Sequence, residues 1–193
     1  MKRLGIFGGS FDPVHSGHVG IARAAADAAA LEKVLFVPAN VSPFKTSAAP
    51  RASAADRLEM VRLACACDRR FEPCDIELRR AGVSYAVDTV RAIAAANPGA
   101  ELFFIMGEDS LAALGGWHKA DELFSLVVFL VLERPGCARN PVPEGARVVR
   151  FRGEPCAVSS SAAREAIAGG GDAGRMLPPS VAAYIARHGL YRP

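Results

Sequence analysis

At 193 residues, with 51% of them apolar and 22% charged, the chain is long enough to bury a substantial core and too hydrophobic for wholesale disorder. A net charge of +3 from 23 basic and 20 acidic side chains is too slight to argue for nucleic acid, and the basic pairs Arg69-Arg70 and Arg79-Arg80 suit solvated loops. The longest apolar run, residues 126–132, is far too short to span a bilayer, Lys2 and Arg3 precede no signal-length apolar stretch, and the five cysteines contain no C-x-x-C, so one soluble cytoplasmic domain over residues 1–193 with free thiols is expected.

In chain order, Leu4, Ile6 and Phe7 predict a short strand that runs through Gly8, Gly9 and Ser10 into a helical pattern just beyond Gly17. Free backbone N–H groups at such a helix start attract phosphate. His15 and His18, three residues apart where the helix begins, share a face and offer donors for developing phosphoryl charge. The stretch does not fit the dinucleotide pattern G-x-G-x-x-G, and no G-K-[ST] follows as in a Walker A loop. A zinc ion would find no cysteine there and only Asp12 as a third ligand.

The alanine-dense residues 19–32 predict a helix and 34–37 a strand, which makes a βαβ unit with a right-handed crossover. Residues 39–52, with Asn40, Pro43, Lys45 and Pro50 and no apolar period, form a long loop of the kind that carries function. Ser53 with Asp56 resembles a capping box opening a helix over 54–66, whose apolar side would be Leu58, Val61, Leu63 and Ala64. Residues 74–78 alternate like an edge strand, and 84–96 form a helix closed by Asn97-Pro98-Gly99. The buried strand 101–106 runs into Gly107-Glu108-Asp109, at the strand end where α/β sheets place ligands. Asp109 equally suits a helix cap. Trp117, between Gly115-Gly116 and His118, is placed to stack on a planar ring. Strands at 127–132 and 147–151 follow, separated by a proline-rich segment. Ser159, Ser160 and Ser161 then open a helix over 162–168, where Arg164 completes a second anion cradle. A short helix over 178–188 and Gly189-Leu190-Tyr191 end the chain. The fold class expected is α/β: one doubly wound, Rossmann-like, mainly parallel sheet with helices on both faces.

GGSFDPVHSGH at residues 8–18 resembles the signature of the nucleotidyltransferase superfamily that carries an H-x-G-H motif. Further elements resemble the bacterial nicotinate-nucleotide adenylyltransferases over nearly the whole chain: VPANVSPFK at 37–45, VDT at 87–89, IMGEDSL at 105–111 followed by Trp117, ERPG at 133–136, VSSSAAR at 158–164 and the closing GLY. Phe44 stands where that family often has histidine, and Val158 replaces its usual isoleucine.

The resemblance implies adenylyl transfer from ATP to nicotinate mononucleotide, giving deamido-NAD and pyrophosphate. His15, His18, Lys45 and Arg164 would be the catalytic set. Gly8, Gly9, Ser10, Phe11, Gly107, Asp109, Ser159, Ser160 and Ser161 would hold ATP. Asn40, Thr89, Trp117, His118 and Arg134 would hold the nicotinate mononucleotide. Mg²⁺ would arrive with ATP rather than in a protein cage. Phosphopantetheine adenylyltransferases share the first motif but lack the GEDS…W segment, and cytidylyltransferases are more distant. A catalytically silent nucleotide sensor is disfavoured by the intact histidines, Lys45 and Arg164. Oligomeric state is left open.

Overall fold

The computed structural model describes residues 1–41, 43, 49–80, 82–133, 139–153 and 158–192. Six parallel strands form one sheet among them: β1 (Arg3–Gly9), β2 (Lys33–Pro38), β3 (Phe71–Pro73), β4 (Glu101–Gly107), β5 (Val128–Glu133) and β6 (Arg147–Arg152), in the order β3-β2-β1-β4-β5-β6. The chain winds outward from β1 to β3, returns to lay β4 on the other side of β1, and winds outward again. Connections therefore diverge between β1 and β4, and a crevice opens beyond their carboxyl ends. Gly8-Gly9 ends one of those strands and Gly107 the other.

Period-two alternation divides each central strand between two cores. On β4, Leu102, Phe104 and Met106 enter one apolar layer, while Phe103 and Ile105 enter the other. The first layer is closed by α4 (Ala86–Ala96), α5 (Glu108–Ala112) and α6 (Ala120–Leu126). The second is closed by α1 (Ser16–Ala28), α2 (Ala54–Cys65), α7 (Ser160–Ala168) and α8 (Pro179–His188). The sheet is thus covered on both faces, as its near-continuous apolar strands require.

The elements depart from their predicted bounds where side chains, rather than period, decide. α1 begins at Ser16, not at residue 19, because His15 caps it. It stops at Ala28, since Ala30 adopts a left-handed turn (φ 48°) that returns Leu31 to the core. The strand expected at 74–78 is instead the short β3 before it and a single helical turn, α3 (Ile76–Arg79). Pro73, which has no N–H to donate, ends β3, and the turn lets Glu77 point inward. There Glu77 accepts a 2.6 Å hydrogen bond from the buried Thr89 hydroxyl. On α2, the buried side comprises Arg57, Met60, Val61, Ala64 and Cys65, whereas Leu58 and Leu63 are half-buried. The face is rotated from the one expected, and it includes an arginine.

Gly5 shows how closely the centre of the sheet is packed. A Cβ built there would lie 2.7 Å from Leu31 Cδ1 and 3.1 Å from Ile105 Cδ1. Gly5→Val should therefore destabilise the protein by about 1–3 kcal/mol through overpacking, read as a fall in denaturation midpoint. An unchanged midpoint would show that Leu31 gives way freely.

Candidate active site

The loop from Gly8 to His18 closes on itself through its two histidines. The His15 backbone N–H donates to His18 Nδ1 at 3.2 Å, and the His18 N–H donates to His15 Nδ1 at 3.4 Å. This is a capping box in which both side chains are imidazoles. Each Nδ1 serves as an acceptor, so each neutral ring carries its proton on Nε2. The ring centroids lie 3.6 Å apart at an interplanar angle of 31°. Two positive charges at that distance would repel. Burial also pushes the His15 pKa from 6.5 down to about 4, which leaves that ring neutral at pH 7. His15 thus brings an N–H donor to the site rather than a positive charge.

Below the histidines lies an aromatic floor. The buried Phe11 packs edge-on against His18 at 5.0 Å and against Phe7 at 5.7 Å. Its backbone is left-handed (φ 47°), which lays the ring over Gly9, where a Cβ would stand 3.2 Å from it. Gly9 is required there by close approach. At Gly8 a Cβ would meet only the Phe104 ring at 4.0 Å, and at Gly107 nothing within that distance. Both strand ends leave room for a ligand against bare backbone.

Buried polar groups tie this loop to distant segments. Asp12, 5% exposed, accepts from the N–H groups of Arg51 (2.8 Å) and Ala52 (3.0 Å) and from the Tyr191 hydroxyl (2.8 Å). Arg57 Nη1 donates to the carbonyls of Ser10 (2.8 Å) and Ala39 (2.7 Å). The Ser16 N–H donates to the Met176 carbonyl at 2.9 Å.

The serine-rich start of α7 docks on the same loop, so the two predicted anion cradles are adjoining. Ser159 caps α7 by accepting from the Ala162 N–H at 3.1 Å. The Ser160 hydroxyl donates to the Pro13 carbonyl at 2.9 Å. Arg164 Nη1 donates to the Asp12 carbonyl at 2.6 Å, and its Nη2 donates to the Ser161 hydroxyl at 3.1 Å. The guanidinium is held at the loop while retaining donors for a ligand. Asp109 lies exposed in the first turn of α5, beyond the carboxyl end of β4.

Asn40, Trp117 and His118 gather on the other side of the crevice. The Asn40 N–H donates to the Ser84 hydroxyl at 3.0 Å and its side-chain amide to the Gly82 carbonyl at 3.3 Å. Tyr85 follows Ser84, and its ring lies 4.3 Å from that of the exposed His118. The half-buried Trp117 packs edge-on against Phe104 at 5.7 Å. Thr89 lies beneath this group. Its N–H is engaged with the Tyr85 carbonyl (3.3 Å), and its buried hydroxyl donates to Glu77 and accepts from Arg80 at 3.0 Å. It braces Glu77 and Arg80 from below. Lys45 and Arg134 lie outside the described residues.

Sequence reasoning took Asp12 only as a possible metal ligand, Arg80 as part of a solvated basic pair and Glu77 as part of an edge strand, whereas Arg80 is half-buried on Thr89 and Glu77 is buried. It gave Tyr191 no contact and did not single out Arg57. One signal was available. Arg57 stands at helical spacing with Met60, Val61 and Ala64, so its side chain falls on the core face of α2.

The cytidylyltransferase-like family model matches residues 6–166. A relative from Gloeobacter violaceus, named a probable nicotinate-nucleotide adenylyltransferase, is 42% identical over 98% of this chain and 96% of its own. One of the same name from Neisseria meningitidis serogroup B is 41% identical over 99% of both. The solved Plasmodium falciparum nicotinic acid mononucleotide adenylyltransferase complexed with NaAD superimposes with a TM-score of 0.80 at 17% identity, covering 99% of this chain and 98% of that one, which shows a shared fold. With its motif loop, its topology and relatives matched end to end, this chain belongs to the cytidylyltransferase-like family and, within it, to the nicotinate-nucleotide adenylyltransferases.

Proposed function

We propose that this chain transfers the adenylyl group of ATP to nicotinate mononucleotide, releasing pyrophosphate and forming deamido-NAD. The observation that carries the reading is the docking of α7 on the histidine loop. It gathers His15, His18, Arg164 and the helix start at one end of the sheet, as a polyphosphate requires. The aromatic group on the far side supports a planar ring there.

The chemistry asks little of side chains. The mononucleotide's phosphate is already an anion, so no base need deprotonate it. One of its oxygens attacks the α-phosphorus of ATP in line, a new P–O bond forms, and the bond to pyrophosphate breaks. Positioning and charge stabilisation then set the rate. His15 and His18 serve as Nε2–H donors to phosphoryl oxygens, with tautomers fixed in advance by their mutual cap. Lys45 and Arg164 are the cations assigned to ATP. Ser161 holds Arg164, Ser159 and Ser160 seat α7, and Gly8, Gly9, Ser10, Phe11, Gly107 and Asp109 line the nucleotide's side. Among the described residues no three histidine, cysteine or carboxylate side chains converge. A magnesium ion here would take its oxygens from the nucleotide, where it would neutralise triphosphate charge.

Asn40, Trp117, His118 and Arg134 are assigned to the mononucleotide, with the indole stacked on the pyridine ring. Stacking cannot distinguish a carboxylate from a carboxamide. The preference for nicotinate must come from donors aimed at both carboxylate oxygens, because a carboxamide would set its own N–H₂ against one of them. Thr89's donors are engaged within α4 and with Glu77, so its part is to hold that wall in place.

Purified protein with ATP and Mg²⁺, offered nicotinate mononucleotide, nicotinamide mononucleotide and phosphopantetheine, should release pyrophosphate fastest with the first. The margin over the second should be roughly tenfold to a hundredfold. Trp117→Ala should weaken both mononucleotides and leave most of that margin. Equal rates would make the enzyme dual-specific, and a preference for phosphopantetheine would overturn the assignment.

His18→Ala should lower kcat about a hundredfold, the usual effect of losing one preorganised donor. His15→Asn removes the Nε2–H yet keeps a capping side chain, so activity should fall with little loss of stability. Wild type and His15→Asn also differ in pH response. The His15 pKa is depressed in the folded state, so its contribution to stability is complete above pH 6.5 and is lost as pH falls towards about 4. The denaturation midpoint of wild type should drop through that window more steeply than that of His15→Asn. Parallel curves would show that His15 is not held neutral.

A further inference from the structure

The loop that follows β1 carries the groups assigned to ATP, and the segment that follows β2 carries Asn40, assigned to the mononucleotide. One side chain bridges them. Arg57 is 2% exposed, and its Nη1 donates to Ser10 O in the first loop at 2.8 Å and to Ala39 O in the second at 2.7 Å. A direct backbone bond, Ala39 N–H to Gly9 O at 2.8 Å, completes the bridge. Asp12, held by the neighbouring N–H groups of Arg51 and Ala52, supplies the compensating carboxylate, and Arg57 Nε is buried with no partner among the described residues. Burying a guanidinium in a core layer to contact two carbonyls is an expensive way to stabilise a helix. It is an effective way to fix one distance.

We propose that Arg57 is a positioning residue for the transfer, setting the separation of the ATP loop and the mononucleotide segment. It touches neither substrate and acts through the carbonyls of Ser10 and Ala39. This rests on the adenylyl-transfer reading above. Each half-site has its own further supports, Arg164 and Ser160 on the ATP side and Ser84 and Gly82 on the other. Loss of the bridge should therefore spare separate binding and damage what depends on both halves at once.

The test compares wild type with Arg57→Lys and Arg57→Gln, with Met60→Ala, a fully buried neighbour on α2, as a control for helix packing. Calorimetric titration would measure ATP alone, nicotinate mononucleotide alone, and deamido-NAD, which spans both halves, and pyrophosphate release would give kcat. In the Arg57 variants kcat and deamido-NAD affinity should fall roughly tenfold or more, while each separate substrate changes less than about threefold. Met60→Ala should lower the denaturation midpoint without separating the three affinities. If Arg57→Gln fails to fold, Arg57→Lys decides. An equal loss across all three ligands, or unchanged kcat in a folded variant, overturns the proposal alone. A wild type that releases no pyrophosphate with nicotinate mononucleotide overturns the adenylyl-transfer reading and this proposal with it.

Discussion

The carboxylate of Asp12 is buried beneath the histidine loop, and most of the site's architecture follows from how that carboxylate is satisfied. A carboxylate removed from water is tolerated only when its oxygens accept hydrogen bonds. Here the donors are two consecutive N–H groups at the end of the loop after β2 and a phenol from the last turn of the chain. Arg164 approaches one oxygen at 3.8 Å while bonding the carbonyl of the same residue. Three segments far apart in sequence therefore share one anchor. Removing one partner would leave the buried carboxylate with fewer donors and the remaining segments less firmly held.

Above that anchor, the two imidazoles are structural and chemical groups at once. Their Nδ1 atoms satisfy N–H groups that every helix start leaves over, and that same engagement fixes where their protons reside. The depth of His15 keeps positive charge off that ring, whose centroid lies 3.6 Å from that of His18. On the proposed reading, net positive charge for a polyphosphate is left to Arg164, which bonds the same loop. On that reading the histidines add direction, with their protons already placed before a substrate arrives.

Much of this was legible in the amino-acid sequence, for physical reasons that can be named. Apolar runs at 34–37, 101–106 and 127–132 alternate with helical stretches, and in a parallel sheet covered on both faces little else fits that pattern. The motif 8–18 and the serines before Arg164 were visible because glycine, histidine and hydroxyl residues at helix starts have few other uses. Their adjacency was not visible, since docking α7 on Pro13 joins positions 147 residues apart. The residues that escaped are those whose role depends on depth. Arg57 looks like an ordinary surface arginine until α2 is rotated to bury it, and Glu77 and Thr89 find each other only once Pro73 has ended β3. A strand and a helical turn compete for Cys74 to Leu78 on nearly equal local terms, and Pro73 ends the strand before them.

Tyr191 stands 179 residues from the carboxylate it holds. Its reach depends on α8, which packs against α2 through apolar contacts and through the Tyr184 hydroxyl on Asp56. The final helix is thus a keystone set against the first loop. Were α8 to open, the loop would lose a support while the sheet stayed intact. By linkage the relation also runs backwards: whatever holds the loop in place favours the docked α8. The first loop and α8, remote from one another in sequence, are in this way joined in a single equilibrium, and order in one is registered as order in the other.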